Sequence, residues 1–109
     1  MESEFKWGSL VVHCMRQLRD SGECVVPFVD WEVMPRLDGS PEGVFAWFIC
    51  GTVAGKERFR RESLRAATQR LRATAVESGL PSGAAETLQT DVTSTEEIEA
   101  GGGRFYFFR

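Results

Sequence analysis

Near the start of the chain the apolar positions fall at Trp7, Leu10, Val11, Cys14, Met15 and Leu18. That is the i, i+3, i+4, i+7, i+8, i+11 spacing of a helix with one buried stripe. His13, Arg16, Gln17 and Asp20 fall on its other side, and Gly22, free to take the left-handed conformation, ends it around Ser21. From Cys24 to Met34 the period changes to two. Val25, Pro27, Val29, Trp31 and Val33 form an apolar set, and Val26, Phe28, Asp30, Glu32 and Met34 a mixed one, which predicts a strand. Pro27 has no N–H, so this strand belongs at a sheet edge or enters at a bulge. Pro35 to Gly43 carries two prolines and two glycines and predicts the turn of a hairpin.

Val44 to Cys50 is an unbroken apolar run of seven residues, too short for a globular helix and rich in aromatic and β-branched side chains, hence a buried strand. After the break Gly51 to Gly55, Leu64, Ala67, Leu71 and Ala75 recur at helical spacing, and Gly79 sits where a helix would close. Leu80 to Ala85 reads as a loop and the threonine-rich Glu86 to Thr93 as a strand. Ser94 with Glu97 three residues on matches a capping box for a short helical turn, which Gly101 to Gly103 ends. Arg104 to Arg109 closes the chain as a strand, because Phe105 to Phe108 are four consecutive aromatics that water would not tolerate at a frayed end.

The predicted order is α-β-β-α-β-β, an α+β fold with a four-stranded antiparallel sheet and two helices packed on one face, in a single globular domain over residues 1–109. Both alternating sets of Val44 to Cys50 and of Phe105 to Phe108 are apolar, as in strands covered on both sides. Two helices cover one side. The other is left for residues 80–103, for a partner, or for a second copy of the chain. Residues 80–103 are polar, with Leu80, Leu88, Val92 and Ile98 their only large apolar residues, so a homodimer meeting through Phe45, Trp47, Phe105 and Phe107 is the economical expectation.

Charge adds a second feature. Between Lys56 and Arg72 seven bases stand against two acids, a local balance of +5, while the remaining six bases and fourteen acids carry −8. Lys56, Arg58, Arg60, Arg61 and Arg65 are therefore the candidate site for an anionic partner, an acidic protein surface first and nucleic acid second. Bases in the first turns of a helix oppose its positive end by a few tenths up to ~1 kcal/mol each, so an anion is expected nearby. It is either external or supplied by the chain's own Glu96, Glu97 and Glu99.

Catalytic chemistry finds little to stand on. A strand, GTVAGK and a helix resemble the order of parts in a phosphate-binding P-loop, but three residues separate Gly51 from Gly55 where four are needed, and Glu57 follows Lys56 where a hydroxyl should be. The single histidine, His13, points about 100° away from its neighbour Cys14 on a helix, a poor nucleophile–base pair. Asp30 and Glu32 share one side of a strand, where acids more often protect an edge than act as a carboxylate pair. No catalytic residue, metal-ligand set or cofactor motif is assigned. Cys14, Cys24 and Cys50, odd in number and with apolar neighbours, read as reduced core thiols. With no secretory signal and no apolar run near the ~20 residues of a membrane span, the chain is expected in the cytoplasm. The function that follows is a small non-catalytic protein-interaction module of the adaptor, immunity or inhibitor type, acting by stoichiometric binding. The alternatives are a nucleic-acid-binding regulator using Lys56 to Arg72, or a small-molecule-binding or enzymatic α+β domain.

Overall fold

The computed structural model describes residues 6–108. Their elements run α1 (Lys6–Ser21), β1 (Asp30–Met34), β2 (Phe45–Cys50), α2 (Val53–Glu62), α3 (Leu64–Glu77), α4 (Ser82–Ala85), β3 (Gln89–Ser94), α5 (Thr95–Ala100) and α6 (Arg104–Phe107). The class is α+β, as the pattern of periods requires. The sheet, however, has three strands and is mixed: β1 lies antiparallel to β2, and β3 lies parallel to β2, in the order β1-β2-β3. The four-stranded antiparallel sheet is thereby corrected. The β1–β2 hairpin is present, its connection using Gly39 and Gly43 at φ 79° and 74°, where a side chain would be strained. The next step is a parallel crossover, in which α2 and α3 carry the chain back to start β3 beside β2.

α1 forms as its stripe demands, with Val11, Cys14, Met15 and Leu18 buried and His13 exposed. The strand expected from Cys24 shrinks to Asp30–Met34, and its phase slips. Val26 and Phe28 are buried while Val25 and Val29 are exposed, yet within β1, where all five residues are half-buried, it is Trp31 and Val33 that pack against the core. The cause lies upstream of β1. Pro27 cannot donate to a ladder, and the N–H of Val26 is drawn away to Ser63 Oγ at 2.8 Å.

That same serine divides the long basic helix. Ser63 has φ −126° and ψ −25°, closes α2 by donating its N–H to the carbonyl of Phe59, and starts α3 with its own carbonyl. The helix also starts earlier than expected, at Val53, because Thr52 caps it by accepting the N–H of Gly55 at 3.0 Å. Leu80 to Ala85, read as a loop, contains the single turn α4. Ser94 does cap α5, accepting the N–H of Glu97 at 3.1 Å.

The sheet has two apolar faces, as read from Val44 to Cys50. On one, Phe48 of β2 meets Phe28 at 4.9 Å and Phe59 of α2 at 5.0 Å, beside the buried side of α1 and Leu71 of α3. These edge-on and tilted rings form the centre of the core. On the other face, Trp47 meets Phe107 and Phe108 at 6.3 and 5.5 Å. Residues 104–107, predicted as a strand in need of cover, form the short helix α6 and supply cover themselves; Arg109 lies outside the described residues. Gly102 and Gly103, at φ 94° and 95°, turn the chain sharply enough to bring α6 back onto β2.

Candidate functional site

The basic segment meets the acidic one. The first turn of α2 has exposed N–H groups and a positive end, and Glu96 of α5 answers it directly by accepting the N–H of Val53 at 2.7 Å. Lys56, the first base, places its ammonium 2.8 Å from Glu97 and 3.5 Å from Glu57. The bond from Lys56 holds the Glu97 carboxyl below its ordinary range, against partial desolvation and with smaller help from Thr93 and Ser94. The internal anion anticipated for this helix is therefore Glu96 and Glu97. The parallel β2–α2–α3–β3 arrangement does supply a phosphate-loop-like context that the sequence did not reveal, but the place a phosphate would take is held by these carboxylates.

Further along, most of the bases are engaged. Arg58 pairs with Glu62 at 3.6 Å, Arg60 with Asp91 at 3.1 Å and Arg70 with Glu23 at 3.2 Å. Arg72 donates through Nε and Nη2 to the carbonyl of Leu88. Arg61 and Arg65 have no hydrogen-bond or ion-pair partner among the described residues, and both are exposed. They stand four residues apart across the break at Ser63 and share a depression of about 460 Å³ with Arg60, Glu62, Ala66 and Gln69.

Two arginines of this ridge treat the sheet's open edge. β3 pairs with β2 alone, and the N–H of Gln89 reaches inward to the carbonyl of Val44 at 3.1 Å. In a parallel ladder the groups alternate, so Leu88, Thr90 and Val92 turn theirs outward. Arg72 binds the outward carbonyl of Leu88, and Arg60 that of Val92 at 3.4 Å, while the N–H of Val92 goes to the Asp91 carboxylate at 2.8 Å. At Leu88 and Val92 the exposed edge is thus tied up by side chains of its own chain.

The four residues read as a self-association face are only partly gathered. Phe45, Trp47 and Phe107 form one half-buried cluster, with Phe45 5.3 Å from Trp47. Phe105 lies beyond it, 69% exposed, against the ring of Tyr106 at 5.3 Å. Trp47 Nε1 is buried without a hydrogen-bond acceptor among the described residues. Arg104 anchors α6 across β1, reaching Asp30 at 2.7 Å, Glu32 at 2.8 Å and the carbonyl of Trp31. Asp30 and Glu32 do share a side of the strand, as read, and it is Arg104 that binds them.

The thiols are placed for packing. Cys14 and Cys50 are buried and Cys24 half-buried, and burial raises all three, Cys50 to about 11. Among the described residues no three His, Cys, Asp or Glu side chains converge as metal ligands, and no helix is long and apolar enough to cross a membrane.

Comparison of the chain with family models, with curated proteins and with solved structures gave no match. The residues themselves carry the functional reading. The anionic-partner site read from the sequence left out Arg72, Thr68 and Thr90, which stand with Arg65 over the β3 edge. Arg65, Thr68 and Arg72 repeat at i, i+3, i+7, one face of a helix, and that signal was legible. Thr90 was not, since its position depends on the parallel pairing of β3.

Proposed function

We propose that the protein is a small non-catalytic interaction module that binds an acidic protein surface stoichiometrically, as an adaptor, immunity protein or inhibitor does. The observation that supports this reading is the pair Arg61 and Arg65, exposed and without a partner among the described residues in a ridge whose other bases are engaged. Such arginines break no ion pair when they meet a carboxylate, and their planar forks suit bidentate contact. The −8 carried by the rest of the chain repels an acidic partner from other approaches and so orients it. Nucleic acid draws less support. Lys56, Arg58, Arg60 and Arg70 already meet carboxylates, which leaves few bases to neutralise a run of phosphates.

The test compares the wild-type chain with Arg61→Glu in native extract. A protein retained by the wild type at one-to-one stoichiometry and lost with Arg61→Glu supports the reading. Equal retention by both, or retention of nucleic acid with a steep salt dependence, overturns it.

A second reading, self-association, rests on Phe105 and Tyr106, which remain exposed beside the Trp47 cluster although α6 covers part of that face. A second copy seated there would shield both rings. Light scattering decides: a mass near twice 12.2 kDa, lost with Phe105→Glu, supports the dimer, and 12.2 kDa at every concentration removes it.

A further inference from the structure

We propose that the groove between α3 and the outer edge of β3 binds a phosphate monoester. This goes beyond the partner reading, since it concerns the sheet side of the ridge and requires neither Arg61 nor a protein partner. The groove, about 450 Å³, is lined by Arg60, Arg65, Arg72, Thr68, Gln69 and Thr90 together with Leu64, and no carboxylate lines it.

Two of its three guanidinium groups are held in place before any ligand arrives. Arg60 is fixed through Nη2 to Val92 and Asp91, and Arg72 through Nε and Nη2 to Leu88. These anchors, the carbonyls of Leu88 and Val92, stand two residues to either side of Thr90. They leave Nε and Nη1 of Arg60 and Nη1 of Arg72 as donors, already ordered, so less side-chain freedom is lost on binding. Between them the N–H of Thr90 turns outward by the alternation of the ladder. Thr68 donates its hydroxyl proton to the carbonyl of Leu64, so in the 2.8 Å contact between the two threonines it is Thr90 that donates. That proton can swing to an arriving oxygen. Arg65, with no partner among the described residues, is the third guanidinium, on the helix rim.

A monoester fits this set better than its rivals. Its two charges and three terminal oxygens match three guanidiniums plus an N–H and a hydroxyl, whereas a carboxylate offers one charge and two oxygens. A diester has one charge per phosphate and brings a long polyanion over a surface that is otherwise −8. An added β-strand finds the outward carbonyls of Leu88 and Val92 and the N–H of Val92 already bonded. The carboxylate adjoining it in sequence, Asp91, alternates with Thr90 along β3 and is held by Arg60 and the N–H of Val92.

The test is NMR titration of the full chain with inorganic phosphate, with O-phosphoserine and with a short single-stranded DNA, following the Thr90 amide and the arginine Nε–H signals. Saturable shifts at Thr90 and Arg65 are expected with phosphate or O-phosphoserine. Tighter binding of O-phosphoserine assigns the phosphate to a modified side chain, and equal binding assigns it to a free small molecule. Arg65→Ala and Thr90→Val, neither of which removes a strand anchor, should each weaken the affinity roughly tenfold, and Arg61→Ala should leave it unchanged. Folding of each variant is checked by its amide spectrum. Absence of saturable shifts at Thr90, affinity indifferent to Arg65→Ala and Thr90→Val, or DNA binding there in preference to phosphate overturns the proposal. Because Arg61→Glu tests the partner and Thr90→Val tests the groove, the two readings fail independently.

Discussion

The ammonium of Lys56 lies 2.8 Å from Oε2 of Glu97, joining the first turn of α2 to the first turn of α5. Forty-one residues apart in sequence, the two belong to oppositely charged stretches of the chain. A basic helix end that would be unfavourable alone is matched by a carboxylate that Ser94 and Thr93 also position. The pair fixes α5, and α5 leads into the glycines that set α6 on the second face of the sheet.

Glu97→Gln should therefore destabilise the fold by about 1 kcal/mol at neutral pH, the upper range for a pair of this exposure. Glu97 is depressed in the folded chain, so its contribution is present above the ordinary glutamate value and is lost as pH falls through the folded one. Urea unfolding at stepwise lower pH should show wild type and variant converging in acid. Lys56 is raised by the same bond, so the opposite loss begins only as pH climbs through its folded value. A gap between the two proteins that stays constant with pH would mean that Glu97 acts by packing and not by charge.

The parts of the fold that the sequence discloses are those set by local period. α1, the hairpin of β1 and β2, the α3 stripe and the Ser94 cap each announce themselves within one continuous stretch of chain. The rest depends on distant partners. Ser63 carries no local breaking signal; its special backbone goes with a hydroxyl that serves Val26, thirty-seven residues earlier. The aromatic run Phe105 to Phe108 has strand composition, but Arg104 ties it to Asp30 and Glu32 and the preceding glycines coil it over Trp47. At the candidate site, the arginines were legible as a charged ridge. Which of them are engaged was not, because Asp91, Glu97 and the Leu88 carbonyl reach them only once β3 lies parallel to β2.

Ser63→Ala removes the acceptor of the Val26 N–H in a place where Ser63 is 3% and Val26 5% exposed. A buried donor left unpaired costs about 1–3 kcal/mol, while alanine favours continuing the helix through the break by a few tenths. The net expectation is a loss of about 1–2 kcal/mol with helical content kept or slightly raised. Thermal melts followed by circular dichroism check both quantities. Unchanged stability would mean that water takes over the Val26 N–H, and the break would then owe nothing to this bond.

Arg104→Ala tests what holds α6 on the sheet. The arginine joins Asp30, Glu32 and the Trp31 carbonyl, but all three charged side chains are a third or more exposed, so each pair is worth at most about 1 kcal/mol. The larger hold is aromatic, Phe107 and Phe108 against Trp47. That hold carries its own penalty, because the Trp47 Nε1 is buried without an acceptor among the described residues and would regain a water if α6 lifted. Losing the arginine should therefore loosen α6 while costing the whole fold only about 1 kcal/mol. With Trp7 and Trp31 replaced by Phe, Trp47 reports the change alone. Its emission should move to the red and its quenching by acrylamide should rise in Arg104→Ala, with the far-ultraviolet signal of the other helices intact. If emission and quenching stay as in the parent, the two phenylalanines hold α6 unaided and Arg104 serves instead to neutralise Asp30 and Glu32 on β1.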